Sequence, residues 1–156
     1  LINRGFLCRG SIKWGYMYHK NTTLFGPAFQ EAYEAENKED YPIVRFNKEL
    51  FDLLRVFPGS SNVCNGEWSV EFVKKNCKQI DDDYYLDYFT DYDDVVGDEE
   101  GSSIIHYKKL RTIIVGGLKS TIPNSRAYLK NKWAAEKFNL TASAFGLLEI
   151  SIDKPC

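Results

Sequence analysis

The chain has 156 residues, with 20 Lys and Arg against 22 Asp and Glu, 44% hydrophobic and 15% aromatic residues, which suits one globular domain with a sizeable core and excludes intrinsic disorder. Eleven Gly and five Pro exclude collagen-like and low-complexity chains, and no apolar run approaches the ~20 residues of a membrane-spanning helix. The formal net charge of −2 conceals a division, because Asp81 to Glu100 holds ten acids and no base and leaves +8 on the remainder; this suits either a basic body for a polyanionic ligand or an ordinary domain with a solvated acidic loop.

The chain opens at Leu1 without Met and has no signal-peptide pattern, so a natural N-terminal portion is expected to precede it. Phe6 to Tyr18 is aromatic-rich and partly alternating, which predicts a strand or hairpin with Gly10 and Gly15 at a bulge or close approach. His19 to Thr23 reads as a polar turn. Gly26-Pro27 opens a helix to about Asn37, with Phe25, Ala28, Phe29, Ala32, Tyr33 and Glu36 at helical spacing on one face. Tyr41 to Phe46 follows as a strand, and Asn47 is placed to cap a helix from Lys48 to about Val56 with Leu50, Leu53 and Leu54 inward. Pro58 to Asn62 breaks the chain. Trp68 to Cys77 reads as a short helix, Tyr84 to Phe89 as a strand and Thr90 to Ser103 as a loop. The spacing then predicts an amphipathic helix over Ile104 to Leu118, with Ile105, Leu110, Ile113, Ile114 and Leu118 inward. A last helix spans Arg126 to Phe138, with Leu129, Trp133, Ala134 and Phe138 inward, and Leu147 to Ile152 closes as a strand. Strands interleaved with helices indicate an α+β fold with a mixed sheet. No internal repeat or dividing linker is present, so 1–156 reads as a single domain.

Cys8, Cys64, Cys77 and Cys156 lack metal-ligand spacing, and His19 and His106 add little to a zinc site. Reduced thiols and a cytoplasmic location are expected of a chain large enough to fold without covalent staples, although two disulfides and the sequons at Asn21 and Asn139 would also suit a secreted protein. Neither histidine belongs to a triad pattern. The cluster Asp91, Asp93 and Asp94 fails as an EF-hand because its sixth position is Val96. Walker A, G-x-S-x-G and G-x-G-x-x-G patterns are absent. Lys13-Trp14-Gly15-Tyr16 would stack on single-stranded nucleic acid, but the acidic overall balance speaks against that partner, and buried sheet aromatics are the better reading.

Arg9-Gly10-Ser11-Ile12-Lys13-Trp14-Gly15, a short turn, and then Leu24-Phe25-Gly26-Pro27-Ala28 running into Ala32-Tyr33-Glu34-Ala35-Glu36 resemble the class III nucleotidyl cyclase homology domain. The order R-G-x-I-x-x-G, F-G-P-A, A-Y-x-x-E and Tyr41-Pro42-Ile43-Val44 looks most like a compact bacterial branch that includes the pyrimidine cyclases of Pycsar antiphage systems. Asp81 to Tyr88, Ile113 to Leu118 and Lys132 to Asn139 look similar to the same group. The resemblance implies a mainly antiparallel sheet flanked by helices around a ferredoxin-like core. It also implies a lyase that converts UTP or CTP to a 3′,5′-cyclic nucleotide and pyrophosphate in antiviral defence.

Carried over residue by residue, the resemblance implies substrate-binding roles for Thr23, Phe25, Gly26, Gln30 and Tyr33. Thr23 falls where purine cyclases carry the base-selecting residue, and its hydroxyl both donates and accepts. Gln30 falls on the family's ribose-orienting asparagine, and Tyr33 is placed to meet the base or to pack in the core. The family's transition-state arginine falls on Glu34, and a carboxylate cannot take that role toward a triphosphate. The cation then comes from Arg9, Lys13 or Arg45, or the domain is a catalytically degenerate binding or regulatory module. The reaction implied is attack of the ribose 3′-oxygen on the α-phosphorus with two Mn²⁺ or Mg²⁺ ions, held by aspartates on strands expected before Leu1; the metal role does not pass to Asp81 to Asp83. A nucleoside triphosphate and a second copy of the chain are the partners implied, with the aromatic strand and the Phe25 to Glu36 helix near the dimer interface and no nucleic acid or membrane. An unrelated α+β protein, with F-G-P-A only a helix cap, is the remaining alternative.

Overall fold

The computed structural model describes residues 4–57, 65–89 and 102–153. The fold is α+β. Among these residues lie β1 (Gly10–Ile12), β2 (Tyr18–Lys20), β3 (Thr23–Phe25), α1 (Pro27–Lys38), β4 (Val44–Phe46), α2 (Glu49–Val56) and α3 (Gly66–Lys75). They are followed by β5 (Cys77–Ile80), β6 (Asp83–Leu86), α4 (Ser102–Ser120), α5 (Arg126–Ala144) and a 3₁₀ turn over Leu148–Ile150. The chain forms two compact units, one from Leu1–Arg9, Asp40–Pro42 and Tyr88–Cys156, the other from Gly10–Glu39 and Ile43–Asp87.

The second unit is built on a sheet of order β1-β4-β6-β5. β1 and β4 are parallel, with Ser11 opposite Arg45, so a crossover must join them; it consists of the β2–β3 hairpin and α1. β4–β6 and β5–β6 are antiparallel, which makes the sheet mixed. Its core gathers Phe46, Phe51, Val70 and Cys77. The Phe51 ring meets Tyr84 edge to face at 4.9 Å and Phe46 at 5.7 Å, the geometry the ring quadrupole favours. α3 begins two residues before its predicted start because the Asn65 side chain accepts from the Trp68 amide at 2.8 Å, satisfying one free donor of the first turn.

Several expectations are corrected in this unit. The aromatic segment from Phe6 is strand only at Gly10–Ile12, and the predicted turn at His19 to Thr23 supplies the ends of a separate hairpin that turns at Asn21, with φ of 53°. Trp14 and Tyr16 lie beyond the β1 ladder and are exposed rather than buried. On α1 only Ala28 is fully buried, Ala32 and Ala35 are half-buried, and Phe25, Phe29 and Tyr33 are exposed. The small residues at 28, 32 and 35 share one helical face and let the helix approach closely, with Ala28 beside Gly15. Asn47 makes no side-chain cap; α2 starts at Glu49, and Phe51 is its buried residue. Cys77 belongs to β5 rather than to the preceding helix, and the next strand stops at Leu86.

In the first unit α4 packs on α5 around Tyr107, Leu110, Ile114, Ala134, Ala135 and Phe138. Both helices outrun their predicted ends, and Ile105 and Leu129 are exposed instead of inward. His106 is buried, and desolvation, with Lys109 nearby, lowers its pKa against the opposing hydrogen bond to the Tyr88 backbone. The predicted terminal strand over Leu147 to Ile152 is replaced by the 3₁₀ turn. Asn139 takes the place of a strand partner there, donating to the Ile152 carbonyl at 2.8 Å and accepting from its amide at 2.7 Å. Arg111 donates to the Ile150 carbonyl at 2.8 Å. The Asn139 sequon is thus occupied by structure. The predicted break at Pro58 to Asn62 and the predicted loop up to Gly101 lie outside the described residues.

Cys8 and Cys77 are free thiols. Burial, followed by the charge of Asp87, pushes Cys77 up to about 11, so its nucleophilic thiolate is scarce near neutrality. In native protein at about pH 8, iodoacetamide is expected to leave Cys77 unmodified and to label it only after unfolding. Rapid native labelling of the Cys77 peptide, read by mass spectrometry, would contradict this placement.

Candidate functional site

Of the eight residues singled out from the sequence, Arg9 belongs to the first unit and the other seven to the second. Thr23 and Phe25 lie on β3, and Phe25 pairs with Tyr18 across the hairpin, their rings stacked at 4.8 Å. Gly26 forms the junction from hairpin to helix. Its φ is 140°, and a Cβ there would stand 2.7 Å from the Tyr16 carbonyl oxygen and 2.9 Å from the Met17 Cα. Only glycine meets both conditions without strain. Pro27 then occupies the first helical position, and the Ala28 amide donates to the Tyr16 carbonyl at 3.3 Å.

One turn into α1, Gln30 donates its amide to Glu34 Oε1 at 3.0 Å, so the two residues that the resemblance would align with the ribose-orienting asparagine and the arginine are bonded to each other. Tyr33 stacks on Phe29 with 6.5 Å between centroids and is 59% exposed, which removes the core-packing alternative for its ring. The hairpin and the outer face of α1 therefore present aromatic rings and the Gln30 amide, beside exposed carboxylates at Glu31 and Glu34.

Arg45, at the centre of β4, is held by carboxylates. Its Nε donates to Glu39 at 2.6 Å, and its Nη1 lies 3.6 Å from Asp81 and 3.8 Å from Asp83. Burial works against the guanidinium charge, but the hydrogen bond and charge of Glu39, followed by Asp83 and Asp81, outweigh it and raise the pKa. The Glu39 side chain is only 4% exposed. Sequence reasoning missed this carboxylate; the signal available was its place at the end of α1, just before the apolar Pro42-Ile43-Val44.

Lys13 follows β1 and lines a cavity of about 340 Å³ with Trp14, Glu31, Asn47, Glu49 and Asp52. One cation thus faces three carboxylates. Such a lining attracts cations more readily than a triphosphate. Among the described residues there is no cluster of His, Cys, Asp or Glu able to hold a metal ion, so these residues by themselves do not fit a divalent-metal centre. Among the described residues no helix is long and apolar enough to cross a membrane.

Compared with protein-family models, curated proteins and solved structures, the chain matches none. The functional reading therefore rests on the motif residues and on their local geometry.

Two variants test that geometry. Gly26→Ala is expected to destabilise the protein by about 2 kcal/mol or more, since backbone strain and a backbone clash add, read as a lowered urea midpoint with a retained m-value. Glu39→Gln removes the nearest of the charges facing Arg45 and is expected to cost about 1–3 kcal/mol, at the lower end for a guanidinium still partly solvated and still facing Asp81 and Asp83. An unchanged midpoint would show that the pair is not closed in solution.

Proposed function

We propose that the chain is part of a class III-type pyrimidine nucleotide cyclase that converts UTP or CTP into a 3′,5′-cyclic nucleotide and pyrophosphate as an antiviral signal. The observation that carries the reading is the Gly26 junction. The R-G-x-I strand, the hairpin, the F-G-P-A helix start and the following strand fall into one β–hairpin–α–β unit, with glycine required at F-G-P by both φ and space. Resemblance in sequence and local conformation thus meet at the same residue.

On this reading Thr23 and Tyr33 meet the base, Gln30 orients the ribose, and Phe25 and Gly26 shape the floor between them. Mn²⁺ or Mg²⁺, bound by residues other than those described, would activate the 3′-oxygen and neutralise developing charge. Lys13 is the stronger candidate for a phosphate contact within the second unit, because Arg45 would have to leave Glu39. The exposed rings of Tyr18, Phe25, Phe29 and Tyr33 suit a surface covered by a second copy, as expected of a homodimer. A cytoplasmic enzyme would have its nucleotide substrate at hand.

A second reading, a cyclase-like domain that binds or regulates without turning over substrate, is favoured by the Gln30–Glu34 bond and the carboxylates around Arg45 and Lys13. Full-length protein incubated with each of the four nucleoside triphosphates and Mn²⁺ separates the two. The cyclase reading expects cyclic UMP or cyclic CMP on chromatography; no cyclic product from any of the four sinks it in favour of the binding module. In an active enzyme, Lys13→Met is expected to lower kcat by about 10²-fold, and substitution of Thr23 or Tyr33 to change base preference with the fold retained. Unchanged kinetics and products would reject those roles.

A further inference from the structure

The cavity of about 340 Å³ beside Lys13 has a volume within the range of small-molecule sites, and all of its lining belongs to the second unit. Ile12, Trp14, Leu50, Leu53 and Val56 give it apolar surface. Trp14 stacks on Phe57 at 5.6 Å and is still 67% exposed, so ring surface remains for a ligand. The polar lining comes from separate elements: Lys13 follows β1, Glu31 lies on α1, Asn47 links β4 to α2, and Glu49 and Asp52 lie on α2.

These polar groups are not equally engaged. Asp52 accepts from Arg55 Nη1 at 2.6 Å, and Glu49 accepts from the Asn47 side-chain amide at 3.2 Å. Among the described residues, the side chains of Lys13 and Glu31 form neither a hydrogen bond nor an ion pair. A half-buried ammonium and a carboxylate therefore line one cavity without meeting. An apolar ligand would leave both charges unanswered. A simple cation would repeat the charge of Lys13, and a simple anion would repeat that of Glu31. A zwitterion answers both, and the separation of the two side chains is what a bridging ligand requires.

We propose that this cavity binds a free α-amino acid with an apolar side chain, its carboxylate on Lys13, its ammonium on Glu31, and its side chain against Trp14, Leu53 and Val56. Both polar contacts are charge-assisted hydrogen bonds: the lysine ammonium has only donors to offer and the glutamate carboxylate only acceptors. The apolar lining distinguishes such a ligand from a bare ion, and the excess of carboxylates disfavours a polyanion. The inference does not depend on the cyclase reading; where both hold, amino acid and triphosphate compete for Lys13.

Full-length, ¹⁵N-labelled protein, free of nucleotide and metal so that this inference and the cyclase reading can fail separately, is titrated with L-phenylalanine, 2-phenylethylamine and 3-phenylpropionate. The amino acid is expected to shift the Trp14 indole N–H and Asn47 side-chain amide signals in a saturable way, and to bind about fivefold or more tightly than either analogue. Lys13→Met is expected to erase its advantage over the amine, which lacks the carboxylate. Glu31→Gln is expected to erase its advantage over the acid, which lacks the ammonium. Circular dichroism confirms that both variants keep the fold. Unmoved signals at millimolar phenylalanine, an analogue that binds as tightly as the amino acid, or either advantage surviving in its folded variant would overturn the proposal.

Discussion

A carboxylate buried to 4% exposure is tolerable because Arg45 lies 2.6 Å from it. Removing Arg45 would take from Glu39 the cation 2.6 Å away, a larger loss than the net worth of the pair itself, whereas Arg45 without Glu39 would still face Asp81 and Asp83. Glu39 ends α1, its amide still bonded to the Ala35 and Glu36 carbonyls at 3.1 Å, while Arg45 stands opposite Ser11 on one side and Tyr85 on the other. One interaction therefore anchors the end of the helix to the middle of the sheet. Asp81, in the β5–β6 turn, and Asp83, at the start of β6, extend the same cluster. With both ends of α1 fixed, by Gly26 at the start and Glu39 at the finish, the helix is positioned before its apolar face is considered.

That order explains why the apolar face is so spare. Alanines facing β1 bury little area each, about 0.8 kcal/mol per CH₂-sized group, and could not hold a helix by themselves. They do allow close approach, as Ala28 beside Gly15 shows. The larger rings at 25, 29 and 33 are then turned outward, where they increase the exposed apolar area without adding to the core of this unit. A surface of that kind has a physical cost in solution unless something covers it.

The helices were legible because their signals are local: proline after Gly26 and apolar spacing on α4 and α5. The terminal strand was not, since Leu147 to Ile152 has strand-like composition but its backbone groups are claimed by Asn139 and Arg111. A side chain distant in sequence can satisfy a backbone as a neighbouring strand does, and no pattern within the segment announces it. Periodicity also placed Phe29 and Tyr33 on a face without saying which way it turns. At the site, F-G-P spacing located the glycine that the backbone requires, whereas Glu39 beside Arg45 and Glu34 on Gln30 depend on how the elements meet.

Charge balance bears most directly on the two functional readings. The sequence suggested a basic body around an acidic segment, yet the two cations singled out in the second unit both face carboxylates: Arg45 among Glu39, Asp81 and Asp83, and Lys13 beside Glu31, Glu49 and Asp52. A triphosphate approaching this unit alone would meet more negative than positive charge, and transition-state stabilisation needs the reverse. The cyclase reading therefore requires added positive charge, from divalent metal or from a second copy laid against the aromatic face. Catalysis would then be a property of the assembled site, and a single unassembled copy would be inert. The binding-module reading needs no such addition, but it leaves unexplained why an F-G-P junction with no room for a Cβ should be joined to that exposed face.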